Sequence, residues 1–188
     1  MQRVHIVGAG LAGLSAAISL AEQGIASNLI SAQSSQRAQS VLAEGGINGV
    51  LDLMGENDTV EEHFADTMRG GCDLADPVAV RGMTEAAPEI LRWLVALGVP
   101  FNRENGQMIQ RNFGGQKKKR TAYAKSITGK VLMTGLIDKA REYEAAGLIR
   151  RYAHHVVTQL LVLENSLQGI VCQDVWTGER LLFSGPAV

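Results

Sequence analysis

The segment Val4-His5-Ile6-Val7-Gly8-Ala9-Gly10-Leu11-Ala12-Gly13 runs from an apolar tetrapeptide straight into G-x-G-x-x-G. Leu11 to Glu22 is rich in Ala and Leu and predicts a helix, and Gly24 stands where its C-terminal cap belongs. Asn28 to Ser31 predicts a second short strand. Strand, glycine turn, helix and strand make one βαβ unit. In that context each glycine has a reason. The first permits the tight turn, the second lets a pyrophosphate approach bare backbone, and the third lets the helix pack on the sheet. The helix N-terminus then offers free N–H groups and a partial positive charge to phosphates. The plainer alternative is a tight turn with no ligand.

An acid usually ends the second strand of such a unit and binds the adenosine ribose. Ser31, followed by Ala32 and Gln33, stands there instead. A serine hydroxyl can still bond a ribose or a phosphate. The departure argues against a standard NAD site and not against a flavin.

Composition sets the outer bounds. The chain has 188 residues and 18 Lys plus Arg against 19 Asp plus Glu, a formal charge of −1 that gives no bulk attraction to nucleic acid or an anionic membrane. The length suits one domain, or one and part of another. The 46% hydrophobic content excludes disorder, and no apolar run reaches the ~20 residues of a membrane span. No signal peptide is read at the N-terminus. Cys72 and Cys172 form neither a disulfide framework nor a zinc pattern and fit a reducing compartment. Glycine is in excess, at 21 residues, which implies many places where backbone turns tightly or approaches something closely.

Beyond Ser31 the pattern is uneven. Residues 32–58 read as a long polar loop with one short helix near Leu42, and loops of that length are usually functional. Asp58 or Thr59, with Glu61 and Glu62 behind it, predicts a capped helix through Met68. Pro77 opens another helix, and Pro88 is expected to interrupt it and start a second one ending at Gly98. Asn105-Gly106 is a hairpin signal. Thr128 to Ala146 predicts an amphipathic helix stopped by Gly147. Three strand-like runs follow, Ile149–Leu163, Gly169–Trp176 and Arg180–Ser184, as in a β-meander. Ser184 to Val188 reads as the start of a further strand.

A second glycine cluster, Ser40-Val-Leu42-Ala43-Glu44-Gly45-Gly46-Ile-Asn48-Gly49, lies just past the second strand. Adjacent glycines let backbone N–H groups crowd a flat or anionic ligand. With it come His63-Phe-Ala-Asp66-Thr67, Gly70-Gly-Cys-Asp-Leu-Ala-Asp76, Ala87-Pro88-Glu89, Gly98-Val-Pro-Phe-Asn-Arg103, Arg111-Asn-Phe113-Gly-Gly-Gln116 and Thr128-Gly129. In this order and spacing the chain resembles the N-terminal part of the flavoprotein subunit of the succinate dehydrogenase/fumarate reductase family, which includes L-aspartate oxidase. The variant Ser-Val-Leu-Ala-Glu-Gly-Gly-Ile-Asn most resembles bacterial fumarate reductase-like flavoproteins.

The resemblance implies an α/β fold: a Rossmann-like FAD-binding domain with a β-meander, incomplete because the capping domain is absent. Residues 1–188 would divide into 1–50 (βαβ and flavin loop), 51–147 (a mainly helical insertion) and 148–188 (the meander). Gly8, Ala9, Gly10, Leu11, Ala12 and Gly13 would hold the FAD pyrophosphate. Ser31, Ser40, Leu42, Ala43, Gly45 and Gly46 would cover ribose, phosphates and isoalloxazine. The backbone near Val157 would meet the adenine. Glu44 and Phe113 would face a dicarboxylate such as fumarate or succinate. The family's catalytic arginine and its carboxylate-clamping histidine and threonine residues would all lie beyond Val188, as would the turn closing the FAD fold. No catalytic residue is therefore expected within the chain, nor activity from it alone. The remaining alternatives are an L-aspartate oxidase or other FAD-dependent reductase fragment, and a non-catalytic flavin- or partner-binding module. The implied setting is cytoplasmic, or peripheral at the inner face of a membrane through partner subunits, with an iron–sulfur subunit among them.

Two departures carry consequences. Membrane-bound members attach FAD through a histidine, and Gln39 occupies that position here, so FAD is expected to be non-covalent. Loss of that bond favours fumarate reduction or an oxidase-like role over succinate oxidation. Glu44 stands where the family often has Gln. An ionised carboxylate ~4 Å from an anionic substrate is repelled by roughly a few kcal/mol at an effective dielectric of ~20. Glu44 is then protonated, paired with a cation, facing another substrate, or turned away onto a backbone amide.

Four further features are read conservatively. Lys117-Lys118-Lys119-Arg120 is a solvated loop before it is an electrostatic funnel or a partner contact. His63 is a structural histidine. His154 and His155, adjacent on a strand, point to opposite faces and share no metal. Cys72 is a structural thiol. No metal site is expected.

Overall fold

The computed structural model describes residues 3–185. Pro186, Ala187 and Val188, where a further strand was expected to begin, lie outside the described residues. The elements in chain order are β1 (Val4–Val7), α1 (Leu11–Glu22), β2 (Ser27–Ser31), two short 3₁₀ turns (Ser35–Arg37 and Gln39–Leu42), β3 (Ile47–Asn48), α2 (Val60–Gly70), α3 (Pro77–Ala96), β4 (Arg103–Glu104), β5 (Gln107–Met108), β6 (Gln110–Arg111), β7 (Thr121–Ala122), α4 (Thr128–Ala145), β8 (Ile149–Ala153), β9 (His155–Leu163), β10 (Ser166–Asp174) and β11 (Arg180–Ser184). They form two compact units, one of residues 1–41 with 132–188, the other of residues 42–131.

The first unit is built on a parallel sheet of order β1-β2-β8. Helix α1 buries Leu14, Ala17, Ile18 and Ala21, a spacing that places all four on one face. Each large side chain so buried contributes about 1.5–3 kcal/mol. Beside the sheet lies an antiparallel meander of order β11-β10-β9. Ile30 of β2 joins Ile170, Cys172 and Phe183 in one buried cluster, with Tyr152, Val157 and Leu181 packed against it. His5 adds a polar tie, since Asn28 Nδ2 donates to its Nδ1 at 3.2 Å and its Nε2 meets the Ser184 carbonyl at 3.1 Å. Strand β9 is one edge of the meander and exposes Val156, Leu160, Val162 and Leu163.

The second unit holds helices α2 and α3, a small sheet of order β3-β7-β6 and the hairpin β4–β5. Thr59 caps α2 as expected, its Oγ1 accepting from the Glu62 amide at 3.1 Å. Asn105 (φ 49°) and Gly106 (φ 81°) make the hairpin turn, both in the left-handed region a two-residue loop needs.

Three expectations are corrected. Pro88 does not divide the helix: α3 runs unbroken from Pro77 to Ala96. An interior proline costs ~3 kcal/mol in a free helix. Here the buried stripe Val80, Thr84, Ala87, Leu91 and Leu94 continues across it and outweighs that cost. Next, Ile149–Leu163 is not one strand of the meander. It breaks at His154, whose φ of 63° turns the chain out of the parallel sheet. Strand β8 pairs with β2 and only β9 pairs with β10. His154 therefore sits between strands, edge-on to Trp176, while His155 meets Tyr152 and approaches Asp174 at 3.8 Å. Last, the single short helix near Leu42 is two 3₁₀ turns. No group of His, Cys, Asp and Glu able to hold a metal occurs among the described residues.

Both cysteines are free, Cys72 exposed and Cys172 fully buried. Burial also raises the Cys172 thiol pKa above its ordinary value, which leaves less reactive thiolate. A chromogenic disulfide reagent is expected to titrate one thiol in the native protein and both after denaturation.

Candidate functional site

In the first unit the glycine turn has the backbone its sequence requires. Gly8 lies at φ 111° and its amide donates to the Ile30 carbonyl at 2.8 Å, which fixes the turn to β2. Gly10 is the extended N-cap of α1 and has no side chain to occupy the first-turn amides. A Cβ on Gly13 would lie 1.8 Å from the Gly8 carbonyl oxygen, so only glycine lets α1 come this close to the turn. Ser40, far along the chain, is brought to this helix end. Its Oγ accepts from the Leu11 amide at 3.4 Å and would stand 3.3 Å from a Cβ on Gly10. Bare backbone at Gly10, a helix N-terminus and a hydroxyl above it fit a pyrophosphate.

Ser31 ends β2 with its Oγ donating to the Gln33 carbonyl at 2.6 Å. It lines a cleft of about 240 Å³ together with Ala9, Ser35 and Ala153. Val157 is half-buried, its side chain in the cluster around Ile30.

In the second unit the stretch Ala43–Gly46 is pinned by its carbonyls. Ala43 O accepts from the Gly129 amide at 2.6 Å, Glu44 O from Thr128 Oγ1 at 3.3 Å, and Gly45 O from Arg111 Nη2 at 2.9 Å. The chain has no cis peptide among the described residues. In a trans peptide the carbonyl of one residue and the amide of the next point opposite ways. Turning three successive carbonyls onto protein donors therefore turns the amides of Glu44, Gly45 and Gly46 away from those donors. Backbone amides turned away from protein acceptors are donors that an anion or a carbonyl can use.

Gly46 is sterically required: at φ 128° its Cβ would lie 2.4 Å from Thr121 Cγ2 and 2.6 Å from the Ala122 carbonyl oxygen. A Cβ on Gly45 would lie 2.5 Å from Phe113 Cε1 and would push that ring aside. Phe113 is not core: its ring rests on Gly45 and remains 53% exposed. Arg111 stacks over Tyr123, its guanidinium carbon 4.0 Å from that ring centroid and 5.4 Å from that of Phe113. Leu42 and the Glu44 side chain are exposed. The sequence reading missed Arg111, Thr128 and Gly129 as the groups holding this loop, because their role depends on backbone carbonyls that no side-chain pattern reveals.

The basic run is a correction as well. Arg120 is buried at 1% exposure and pairs with Asp58, Nη2 to Oδ1 at 2.7 Å and Nε to Oδ2 at 2.9 Å, and with Asp66 at 3.1 Å. Lys118 Nζ donates to the Glu56 carbonyl at 2.6 Å, and Lys119 Nζ lies 3.5 Å from the Glu56 carboxylate. Lys118, Lys119 and Arg120 are held by the acidic segment Glu56–Asp66, while Lys117 is exposed as expected. His63 is buried near it, and burial, then the Arg120 charge, holds its imidazole below the ordinary value, favouring the neutral ring.

The described geometry has known counterparts. A model of the FAD binding domain matches residues 3–187. The succinate dehydrogenase flavoprotein subunit of Bacillus subtilis (strain 168) is 42% identical over 98% of this chain and 32% of its own length. L-aspartate oxidase 2 of Ralstonia nicotianae is 31% identical over 98% of this chain and 33% of its own. Among solved structures, the Mycobacterium smegmatis Sdh1 complex in the apo form superposes with a TM-score of 0.91 at 30% identity, covering 100% of this chain and 34% of that one. The chain thus spans about a third of the length of the curated relatives it matches. It belongs to the FAD binding domain family, with the flavoprotein subunits of succinate dehydrogenases and fumarate reductases and the L-aspartate oxidases as its relatives.

Proposed function

We propose that this chain is the FAD-binding portion of an oxidoreductase that exchanges a hydride between flavin and a dicarboxylate, fumarate or succinate, and that it holds FAD without a covalent bond. FAD, when bound, supplies the hydride chemistry beside a carboxylate. The protein's part is binding and orientation. Gly8 to Gly13 and Ser40 receive the pyrophosphate, and Ser31 and Val157 lie toward the adenosine. The amides of Glu44, Gly45 and Gly46 receive the isoalloxazine, with Leu42 and Ala43 beside them, while Glu44 and Phe113 face the substrate. The pinned carbonyls of Ala43, Glu44 and Gly45 are the observation that carries this reading.

Gln39 supports the non-covalent assignment, because an amide side chain cannot form the histidyl bond that the family resemblance places there. The same residue favours fumarate reduction over succinate oxidation. A second reading, an L-aspartate oxidase-like fragment, draws support from Glu44, whose exposed carboxylate suits a substrate carrying an ammonium group. The proton-donating arginine implied by the family lies outside this chain, so dicarboxylate turnover needs the rest of a flavoprotein and, for electrons, a partner such as an iron–sulfur subunit. No helix among the described residues is long and apolar enough to cross a membrane. Any membrane association, in this reading, runs through such partners at the cytoplasmic side.

Acid precipitation is the test. Purified yellow protein treated with trichloroacetic acid is expected to release all its flavin to the supernatant. Flavin retained in the pellet would contradict the Gln39 argument, and colourless protein that takes up no added FAD would contradict the site. Fumarate-dependent oxidation of reduced viologen by the chain alone is expected to be nil.

A further inference from the structure

The cleft beside Ser31 contains a charged pair that the cofactor reading does not use. Strands β2 and β8 run parallel with Ser31 opposite Ala153 and Leu29 opposite Arg151. Residues two apart on a strand share a face, so Arg151 projects from the same face as Ser31, one step below Ala153. Arg151 reaches Glu144 of α4 with two bonds to a single oxygen, Nε to Oε2 at 2.8 Å and Nη2 to Oε2 at 2.5 Å. Both residues line the 240 Å³ cleft with Ala9 of the glycine turn.

The chemistry of the cleft is specific. A ribose presents hydroxyl donors, and it is best met by an acceptor. Ser31 gives its hydroxyl hydrogen to Gln33 and carries no charge. Glu144 is an ionisable acceptor, and the Arg151 fork engages only Oε2, leaving Oε1 outside that fork. The guanidinium also offsets the repulsion between a carboxylate and a nearby diphosphate.

We propose that Glu144, oriented by Arg151, is the carboxylate that accepts hydrogen bonds from the adenosine ribose hydroxyls of FAD, so that the acid missing from the end of β2 is supplied by the last turn of α4. This rests on the FAD reading above and extends it to selection of the ribose. A carboxylate there also disfavours a ribose carrying a 2′-phosphate.

The test uses the full chain freed of flavin. Binding of ADP and of 2′,3′-dideoxy-ADP is measured by calorimetry, and binding of FAD by quenching of its fluorescence. The wild type is expected to prefer ADP over the dideoxy analogue by roughly tenfold to a hundredfold, the range for hydrogen bonds to a charged group. Glu144→Ala is expected to remove that preference, with dideoxy-ADP binding retained or strengthened because the Arg151 guanidinium loses its carboxylate partner. Retained binding of the analogue shows that the variant is folded. Glu144→Gln is expected to fall between the two, and Arg151→Met to weaken ADP without abolishing the preference. If the wild type binds FAD and ADP but Glu144→Ala keeps the full preference, this proposal fails and the FAD reading stands. If the wild type binds neither, both fail.

Discussion

Gly13→Ala is expected to give protein that retains no flavin and melts well below the wild type. The added Cβ would sit 1.8 Å from the Gly8 carbonyl oxygen and 2.9 Å from its carbon. Both atoms are backbone, in a turn tied to β2 through the Gly8 amide, so no rotamer change relieves the overlap. Helix α1 must move off the turn, which costs its packing and misplaces the first-turn amides. Overpacking typically costs ~1–3 kcal/mol, and a backbone collision of this depth belongs at or above the top of that range. Gly8→Ala is the informative contrast. Nothing lies within 4 Å of its Cβ position, but φ is 111°, so only strain of ~1–3 kcal/mol applies. Thermal melts and visible flavin absorbance of the two variants check the order. A Gly13→Ala protein that melts with the wild type and stays yellow would refute the close-packing argument.

Arg120→Met is expected to destabilise the second unit by about 3–5 kcal/mol, the usual cost of removing one partner from a buried ion pair. Arg120 and Asp58 are 1% and 3% exposed, and the guanidinium also holds Asp66. The substitution leaves the buried Asp58 carboxyl without its partner. Adding Asp58→Asn should recover much of the loss, because removing both charges takes away the desolvation penalty with the attraction. Urea unfolding of the two single variants and the double variant measures the coupling. Simple additivity would mean that the pair is not the unit described.

What was legible in the sequence was what local chemistry decides. Gly8, Gly10 and Gly13 state their purpose because each permits a backbone path that a side chain would block. Thr59 and Asn105-Gly106 are equally local, a cap and a turn satisfied within a few residues. The misreadings share another cause. Pro88 was read by its intrinsic cost, while the buried stripe from Val80 to Leu94 decided the outcome. The run from Ile149 to Leu163 is uniformly strand-like, and only the competition between two sheets explains the break at His154. Lys118 to Arg120 look as solvated as Lys117 in one dimension, since their acidic counterparts lie more than fifty residues earlier. In the site itself the glycines were visible. Arg111, Thr128 and Gly129 were not, because a side chain that holds a carbonyl leaves no periodic trace.

Strand β9 has a consequence for how the chain behaves in solution. Its nine residues, HVVTQLLVL, contain no proline and no carboxylate, lysine or arginine, and it borders the meander with Val156, Leu160, Val162 and Leu163 exposed. Soluble proteins usually blunt such an edge with charge or proline. Here the blunting comes from backbone irregularity, the register shifts between Leu167 and Gly169 and between Val171 and Cys172 of β10, which sharpen the local twist. A free, apolar strand edge is a template for strand addition by another copy. Association of this chain at high concentration is therefore expected to run through β9 and to set in before unfolding.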